Sequence, residues 1–410
     1  MGSAASDATT GRAEAAPARV PRIAGRIPSL DGLRALSIGL VVLGHVMGTR
    51  GFTAPAELGH WQLGNFGVRV FFVISGFLIT SLLLEETDRT GRISLGQFYL
   101  RRVFRIFPAF YALLAVLFVL EQVGWIELRP GDLLAGATYL TNYHHDRSWY
   151  AGHLWSLSVE EQFYLVWPAI LVFAGTRRGL RLAVVVLLVA PVLRIALGFV
   201  PSLRAGIGET FPTVADALAT GCLLAGIRPW LSRSQRFTRF LASPAFWLVP
   251  LAVAAAARNP SAKLDWLVGQ TVMNVGIAVV IDRTIRIPGD WLGRLLNARP
   301  LVVIGTLSYS LYLWQQLFLN RHGSADVQRF PVNLVLVAVA AALSYYLVER
   351  PCLQLRVRLE RWRRARQLQI TPAELQKPVI PDGVAPPAAP AAWTAEQPER
   401  PTDPGEQRFN

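Results

Sequence analysis

Charge is scarce in this sequence. Of its 410 residues only 17% are Asp, Glu, Lys or Arg, while 52% are hydrophobic. Soluble domains carry about 25% charged residues, so the shortage excludes a string of two or three soluble domains. Cysteine is scarcer still. Cys222 and Cys352 are the only two, too few for a disulfide scaffold or a cysteine-rich metal site. Acids are outnumbered by bases, 27 against 41 Lys plus Arg, for a formal charge of +14. Strict apolar/polar alternation is absent, which excludes a transmembrane β-barrel. The first residues lack the apolar core of a cleaved signal peptide, and no internal repeat is evident.

What the chain does have is continuous apolar stretches. They fall at about 33–49, 64–84, 106–120, 153–174, 180–200, 211–227, 243–257, 264–281, 299–319 and 331–349. Each approaches the length of about 20 residues that crosses a bilayer as a helix. A further stretch, 131–141, is too short to cross and is expected to be re-entrant or interfacial. The predicted fold class is therefore all-α: a polytopic transmembrane helical bundle of about 10–11 spans.

The basic residues test this scheme. Arg89, Arg92, Arg101, Arg102 and Arg105 share one loop region; Arg177, Arg178 and Arg181 another; Arg228, Arg233, Arg236 and Arg239 a third. Alternate loops carry far fewer, with Arg50, Arg129, Arg147 and Arg204 among them. Basic residues concentrate in cytoplasmic loops, so the pattern predicts both termini inside. It also accounts for the positive charge without nucleic acid as a partner. Residues 1–27 and 356–410 read as cytoplasmic tails, the second beginning with a basic juxtamembrane segment and ending rich in Pro and Ala. Residues 28–355 form the membrane domain.

Ionisable residues inside spans are costly and mark function unless they are paired structurally. Arg34 and His45 lie eleven residues apart on the first span, three helical turns, hence on nearly the same face and about 16 Å apart along the axis. The plainer readings are a snorkelling arginine and a packed histidine. Arg69 near the outer end of the second span reads as a snorkelling side chain, and Ser75-Gly76 as small-residue packing. Arg102 and Arg105, three residues apart, either belong to an amphipathic surface helix or form a guanidinium clamp for a phosphorylated ligand. In the segment at 153–168, Ser156, Glu160 and Tyr164 share a face. Glu160 and Glu161 point about 100° apart, so at most one faces a given pocket. The topology puts Glu160 near the depth of His45, where a carboxylate can orient an imidazole base; the alternative is a helix-end glutamate. Asp216 reads as a structural partner, with Arg194 a candidate to meet it. His144-His145-Asp146 lacks the further ligands a metal needs, so no metal is expected.

Longer motifs go beyond composition. IPSLDGLRALSIGLVVLGHV, FGVRVFFVISGFLIT, FYLRRVFRIFP, HLWSLSVEEQFYLVWP, IGTLSYSLYLWQQ and YYLVERP occur in this order over about 28–355. The chain resembles the acyltransferase-3 family of integral membrane O-acyltransferases. The resemblance implies transfer of an acyl group, acetyl by default, from cytoplasmic acyl-CoA as co-substrate to a hydroxyl of a glycan, a glycolipid or a related small metabolite. It also implies a multi-pass protein of the plasma (inner) membrane of a bacterium, with membrane lipid around it. Arg34 and His45 match the family's Arg-x10-His signature and Arg102 and Arg105 its Arg-x-x-Arg signature on the acyl-CoA side. Glu160 matches the acid of its third signature. The expected roles are His45 as general base oriented by Glu160 or, alternatively, as a transient acyl carrier, Arg34 holding the pantetheine arm or stabilising developing charge, and Arg102 and Arg105 holding CoA phosphates.

The sequence departs from the family in three places. Gln315 stands where many relatives carry His, so that histidine's role does not carry over. Val214 stands where many carry Arg. No hydrolase-like domain follows the membrane part, which predicts a stand-alone form that completes transfer itself or hands the group to a separate partner. The competing functional class is a transporter or flippase for a lipid-linked sugar, which predicts broken spans in corresponding halves.

Overall fold

The computed structural model describes residues 27–258 and 261–368; the tails predicted at 1–27 and 356–410 lie largely outside these residues. The described chain is helical throughout. In order come α1 (Pro28–Val46), α2 (Leu63–Thr90), α3 (Leu95–Gln122), α4 (Asp132–Ala137), α5 (Trp149–Gly152), α6 (Leu154–Ala174), α7 (Thr176–Gly198) and α8 (Phe211–Arg233). There follow α9 (Gln235–Ala242), α10 (Leu248–Ala257), α11 (Ala262–Leu264), α12 (Gln270–Arg286), α13 (Trp291–Leu296), α14 (Arg299–Phe318), α15 (Val332–Ser344) and α16 (Arg350–Leu368). The bundle is one compact unit through Arg356.

Among the described residues, eight helices are long and apolar enough to cross a membrane, or nine counting a pair bent by 73°, Gln235–Ala242 with Pro244–Ala257. The protein is thus an all-α polytopic bundle. All ten predicted stretches are helical, but α14 falls short of the apolar criterion, because Ser308, Tyr309, Ser310, Gln315 and Gln316 interrupt its apolar run. Those residues face inward, where a polar side chain finds partners. The 131–141 stretch forms only α4 and a short 3-10 turn, Thr141–Tyr143, so it does not cross.

The outer surface is apolar. Val184, Val185, Leu188, Val189 and Val192 are exposed along α7, and Phe173 at the end of α6 is 82% exposed. The opposite face of α7 buries Ala183, Ala190 and Arg194. A helix that turns its aliphatic side outward and its guanidinium inward suits hydrocarbon as solvent. Backbone proximity explains the central packing. A Cβ on Gly76 of α2 would collide with the carbonyl of Leu218 on α8, and one on Gly221 of α8 with the carbonyl of Val73. Small residues at such crossings let dispersion contacts form over the whole interface. Gly305 on α14 meets the carbonyl of Asp31 on α1 in the same way.

The charged groups of α2, α7 and α8 inside the bundle are paired, as an apolar surrounding demands. Arg194 Nη1 donates to Asp216 at 2.9 Å and to the carbonyl of Thr213 at 2.7 Å, both side chains being fully buried. Arg69 does not snorkel. It donates to Asn274 at 2.9 Å and to Gln270 at 2.7 Å, and lies 3.8 Å from Asp216. Six residues into α2, it is turned toward α12, whose Asn274 and Gln270 take its N–H groups, which overturns the surface reading of this residue.

Candidate active site

Two cavities meet near the centre of the bundle. The first, of about 110 Å³, is lined by Arg34 of α1, Arg102 and Arg105 of α3, and Glu160, Glu161 and Tyr164 of α6. The second, of about 470 Å³, is lined by His45 from the last turn of α1 with Trp149, His153 and Gln316, and it also admits His145 and His322. Val68 of α2 and Tyr312 of α14 line both. Three turns of α1 separate Arg34 from His45, so one helix connects an arginine chamber to a histidine chamber.

The arginine chamber owes its shape to α3. The sequence places a span only from about 106; the helix instead starts at Leu95 and runs unbroken through Pro108 to Gln122. Arg102 and Arg105 therefore sit in the first turns of a long helix that enters the bundle, not on a separate surface helix. Arg102 packs over the rings of Tyr164, 5.0 Å from its centroid, and Phe98, 5.6 Å. Such stacking fixes a guanidinium plane while leaving its N–H edge free to donate. Arg34 contacts Asp31 at 3.4 Å one turn earlier on its own helix. Both Glu160 and Glu161 line this chamber, unlike the single acid that their 100° separation suggests, because the ridge between the two side chains points into it. Glu160 accepts from Ser75 Oγ at 2.6 Å, and Ser75 in turn accepts from Tyr164 at 3.1 Å. Ser75 thus serves both the close helix crossing and the acid.

The expected pairing of Glu160 with His45 is not formed. Similar depth along the bundle does not bring two side chains together when their helices face different neighbours. Glu160 turns to α2 and α3, and His45 to α14. Arg34 likewise belongs to the arginine chamber with Glu160, away from the His45 ring. Of the three residues expected at the reacting centre, the structure places His45 in the histidine chamber and Arg34 and Glu160 beside Arg102 and Arg105.

The partner of His45 is Gln316. The backbone N–H of His153 donates to Gln316 Oε1 at 2.8 Å. That bond fixes the amide orientation, so Gln316 Nε2, 3.3 Å from His45 Nε2, is the donor. His45 Nε2 must then accept, and in the neutral ring the proton resides on Nδ1. The tautomer is assigned from this network. It leaves Nε2 unprotonated, as a general base requires, with its single lone pair turned to the Gln316 amide. Trp149 supports the arrangement twice, packing edge-on to His45 at 5.6 Å and donating its indole N–H to the carbonyl of Gln316 at 3.1 Å. The other side of Gln316 Oε1 meets His153 Nδ1 at 2.8 Å, and His153 Nε2 lies 2.9 Å from the carbonyl of Leu313. Tyr312 donates to the carbonyl of His153 at 3.0 Å and shares a 2.5 Å hydrogen bond with Ser156. Gln315, fully buried, is also within side-chain hydrogen-bonding reach of the His45 ring.

His153, Gln316, Trp149 and Tyr312 are the residues that sequence reasoning missed. His153 reads as a span-end residue, and Gln316 sits beside the more conspicuous Gln315. Ser310 and Glu349, on α14 and the π-helical turn Tyr345–Glu349, form a further buried hydrogen bond beside Arg105. Among the described residues no three His, Cys, Asp or Glu gather as a metal site; His144 instead lies 3.2 Å from Asp132.

Apolar helices thus carry one guanidinium chamber and one imidazole chamber within a single bundle. The chain belongs to the acyltransferase domain family called acyltransferase-3, whose profile matches residues 27–349. It is 29% identical over 363 residues to the O-acetyltransferase OatA of Staphylococcus aureus strain NCTC 8325 / PS 47, covering 79% of this chain and 57% of that protein. It is also 29% identical over 357 residues to the peptidoglycan O-acetyltransferase OatA of Listeria monocytogenes serovar 1/2a, covering 79% and 55%. The chain spans a little over half the length of these curated relatives. No solved structure matches it.

Proposed function

We propose that this protein is a membrane O-acyltransferase. It takes an acyl group, acetyl by default, from acyl-CoA and passes it to a hydroxyl of a cell-envelope glycan, glycolipid or related metabolite. The observation that carries this reading is the pair of chambers meeting at Val68 and Tyr312. One offers three guanidinium groups suited to the phosphates of CoA; the other offers an imidazole whose unprotonated Nε2 can exchange the Gln316 amide for an acceptor hydroxyl. An extended pantetheine arm lets the thioester reach the junction while the nucleotide stays in the arginine chamber.

In the proposed step His45 Nε2 removes the proton of the acceptor hydroxyl. The hydroxyl oxygen attacks the thioester carbon, the C–O bond forms and the C–S bond breaks. The thiolate leaves and takes the proton from the imidazolium, so the products are an ester and free CoA. Gln316 is a positioning residue that holds the required tautomer, and Glu160 with Ser75 shapes the donor chamber. In this reading the arginine chamber opens to the cytoplasm of a bacterial cell, and His45 faces the outer half of its plasma membrane, consistent with the bias in loop charge.

The test uses membranes carrying wild-type protein or His45→Ala, incubated with radiolabelled acetyl-CoA. Label entering an acceptor fraction with wild type and lost in the variant is the expected result. No label and no CoA release from folded wild type, with acetyl-CoA intact, would overturn the reading.

A further inference from the structure

A third cavity, of about 230 Å³, adjoins the histidine chamber and shares Asn65, Val68 and Trp155 with it. Its wall combines the indoles of Trp61, Trp155 and Trp266 with the polar groups of Asn65, Arg69 and Asp265. Asp265 and Trp266 open a π-helical turn, Asp265–Gly269. Such turns rotate side chains out of helical register and recur at functional sites. The charges here are balanced within the wall. Arg69 is engaged by Gln270 and Asn274, and Asp265 accepts from Gln270 Nε2 at 2.9 Å. An anionic ligand would meet the Asp265 carboxylate, whereas a neutral polyol finds both donors and acceptors. Three tryptophans beside an amide and a carboxylate suit a sugar ring. Its C–H face carries partial positive charge toward the negative π faces, and its hydroxyls meet the polar edge.

A fourth cavity continues from the third and is of opposite character. It holds about 320 Å³ between α1, α2, α10 and α12, shares Trp61, Phe66 and Ala257 with the third, and is otherwise walled by aliphatic residues such as Leu40, Val253 and Ile277. On the far side from the sugar-like pocket this groove reaches Leu36, which is 45% exposed on the apolar outer surface. A polar, aromatic pocket beside the base, running into an aliphatic groove, is matched to an amphipathic molecule. We propose that the acceptor is a neutral glycolipid, its saccharide joined to the hydrocarbon chain without a phosphate. The sugar lies between Trp61, Trp155 and Trp266 with a hydroxyl turned toward His45, and the hydrocarbon chain lies in the groove between α1, α2, α10 and α12.

This inference rests on the acyltransferase reading and goes beyond it in naming the acceptor class. Gly64 and Asn65 provide the geometric link. A Cβ placed on Gly64 would stand 3.8 Å from His45 Cε1, and Asn65, the next residue, already lines the sugar pocket.

The test is a short incubation of membranes carrying the full chain with radiolabelled acetyl-CoA. Products are then separated into organic-extractable lipid, polymeric glycan and water-soluble fractions, and the lipid fraction is hydrolysed to show whether label resides on a saccharide. Label on a lipid-borne saccharide is expected. Trp266→Ala, which removes one wall of the sugar pocket, and Ala254→Trp, which fills the groove, should each reduce it at least about tenfold, about 1.4 kcal/mol of discrimination. Binding of CoA to the purified variants, by calorimetry, should be unchanged, which separates a lost acceptor site from a misfolded protein. Should Ala254→Trp fail that check, the milder Ala254→Leu is used, with a smaller loss expected. Label found only in polymer or water-soluble products, or full labelling of lipid by both folded variants, overturns the inference while leaving the acyltransferase reading intact. CoA release absent under all conditions overturns both.

Discussion

The two chambers on α1 differ in how their polar groups are held, and the difference separates binding from chemistry. In the arginine chamber the polar groups are numerous: three guanidinium groups, two carboxylates and a tyrosine line it. Their contacts are stacking and long ion pairs, such as Arg102 over Tyr164 and Arg34 with Asp31 at 3.4 Å. These leave N–H groups available to a ligand. In the histidine chamber the amide of Gln316 is tied at both ends and meets one ring nitrogen, and Gln315 lies beside the same ring. A surplus of loosely committed cations suits recognition of a polyanion. A histidine fixed in one tautomer suits proton transfer, where small misplacements are costly.

Removing His45 is the severest way to test that contrast. His45→Ala should lower acyl transfer by about 10²- to 10⁴-fold, the usual contribution of a positioned general base, with little change in the dissociation constant for CoA. Label transfer and calorimetry check the two halves. A comparable loss of CoA affinity would mean that the chambers are not separate in function.

The opposite change removes donor recognition while leaving the base. Arg102→Ala and Arg105→Ala each delete a charge-assisted donor worth about 1.5–3 kcal/mol. Each should raise KM for acyl-CoA by roughly 10- to 150-fold and alter kcat less. Arg102→Lys keeps the charge but loses the planar stack on Tyr164, so it should restore only part of the affinity. Initial rates across acyl-CoA concentration decide this; a kcat effect with unchanged KM would place these arginines at the reacting centre.

Val68 offers a sharper test because it touches both chambers and both remain otherwise intact. Val68→Phe adds bulk at the junction. If a pantetheine arm passes there, transfer should fall by about tenfold or more while CoA still binds, since overpacking at a tight position costs about 1–3 kcal/mol. Single-turnover rates and CoA calorimetry on the same sample report the two quantities. Unaltered single-turnover rates in the folded variant would move the thioester's path elsewhere.

How far these regions were legible in the sequence follows the same divide. Helical apolar stretches are local, so all ten could be located, whereas Arg34 and Glu160, expected beside His45, fall in one chamber with Arg102 and Arg105. Azimuth is not local. Nothing in the spacing of Glu160 shows whether α6 turns it toward His45 or toward Ser75, since that depends on how α2, at its glycine crossing with α8, presents Ser75. Arg69 was misjudged for the same reason: Asn274 and Gln270 are about 200 residues away in the chain. His153 lies hidden at a helix start, and its role emerges only because Gln316 reaches it from α14. The break within 235–257 left no mark beyond Pro244, a residue equally at home in a loop.

The gentlest perturbation bears on the most specific feature, the tautomer of His45. Gly152 ends α5, and a Cβ added there would lie 3.2 Å from Gln316 Oε1, closer than ordinary contact. Gly152→Ala therefore pushes on the amide that links His153 to His45 without removing any polar group. The bond from Gln316 Nε2 to His45, already 3.3 Å, is the weakest in that set and should yield first. Loss of one neutral hydrogen bond is worth about 0.5–1.5 kcal/mol, so kcat should fall about 2- to 10-fold with KM for acyl-CoA unchanged. The distinguishing readout is the histidine ring nitrogen shifts in labelled protein: His45 should change from a single Nδ1–H form to a mixture of tautomers. A fall in kcat with that signal unmoved would show that Gln316 supports the fold around His45 without setting the proton's position.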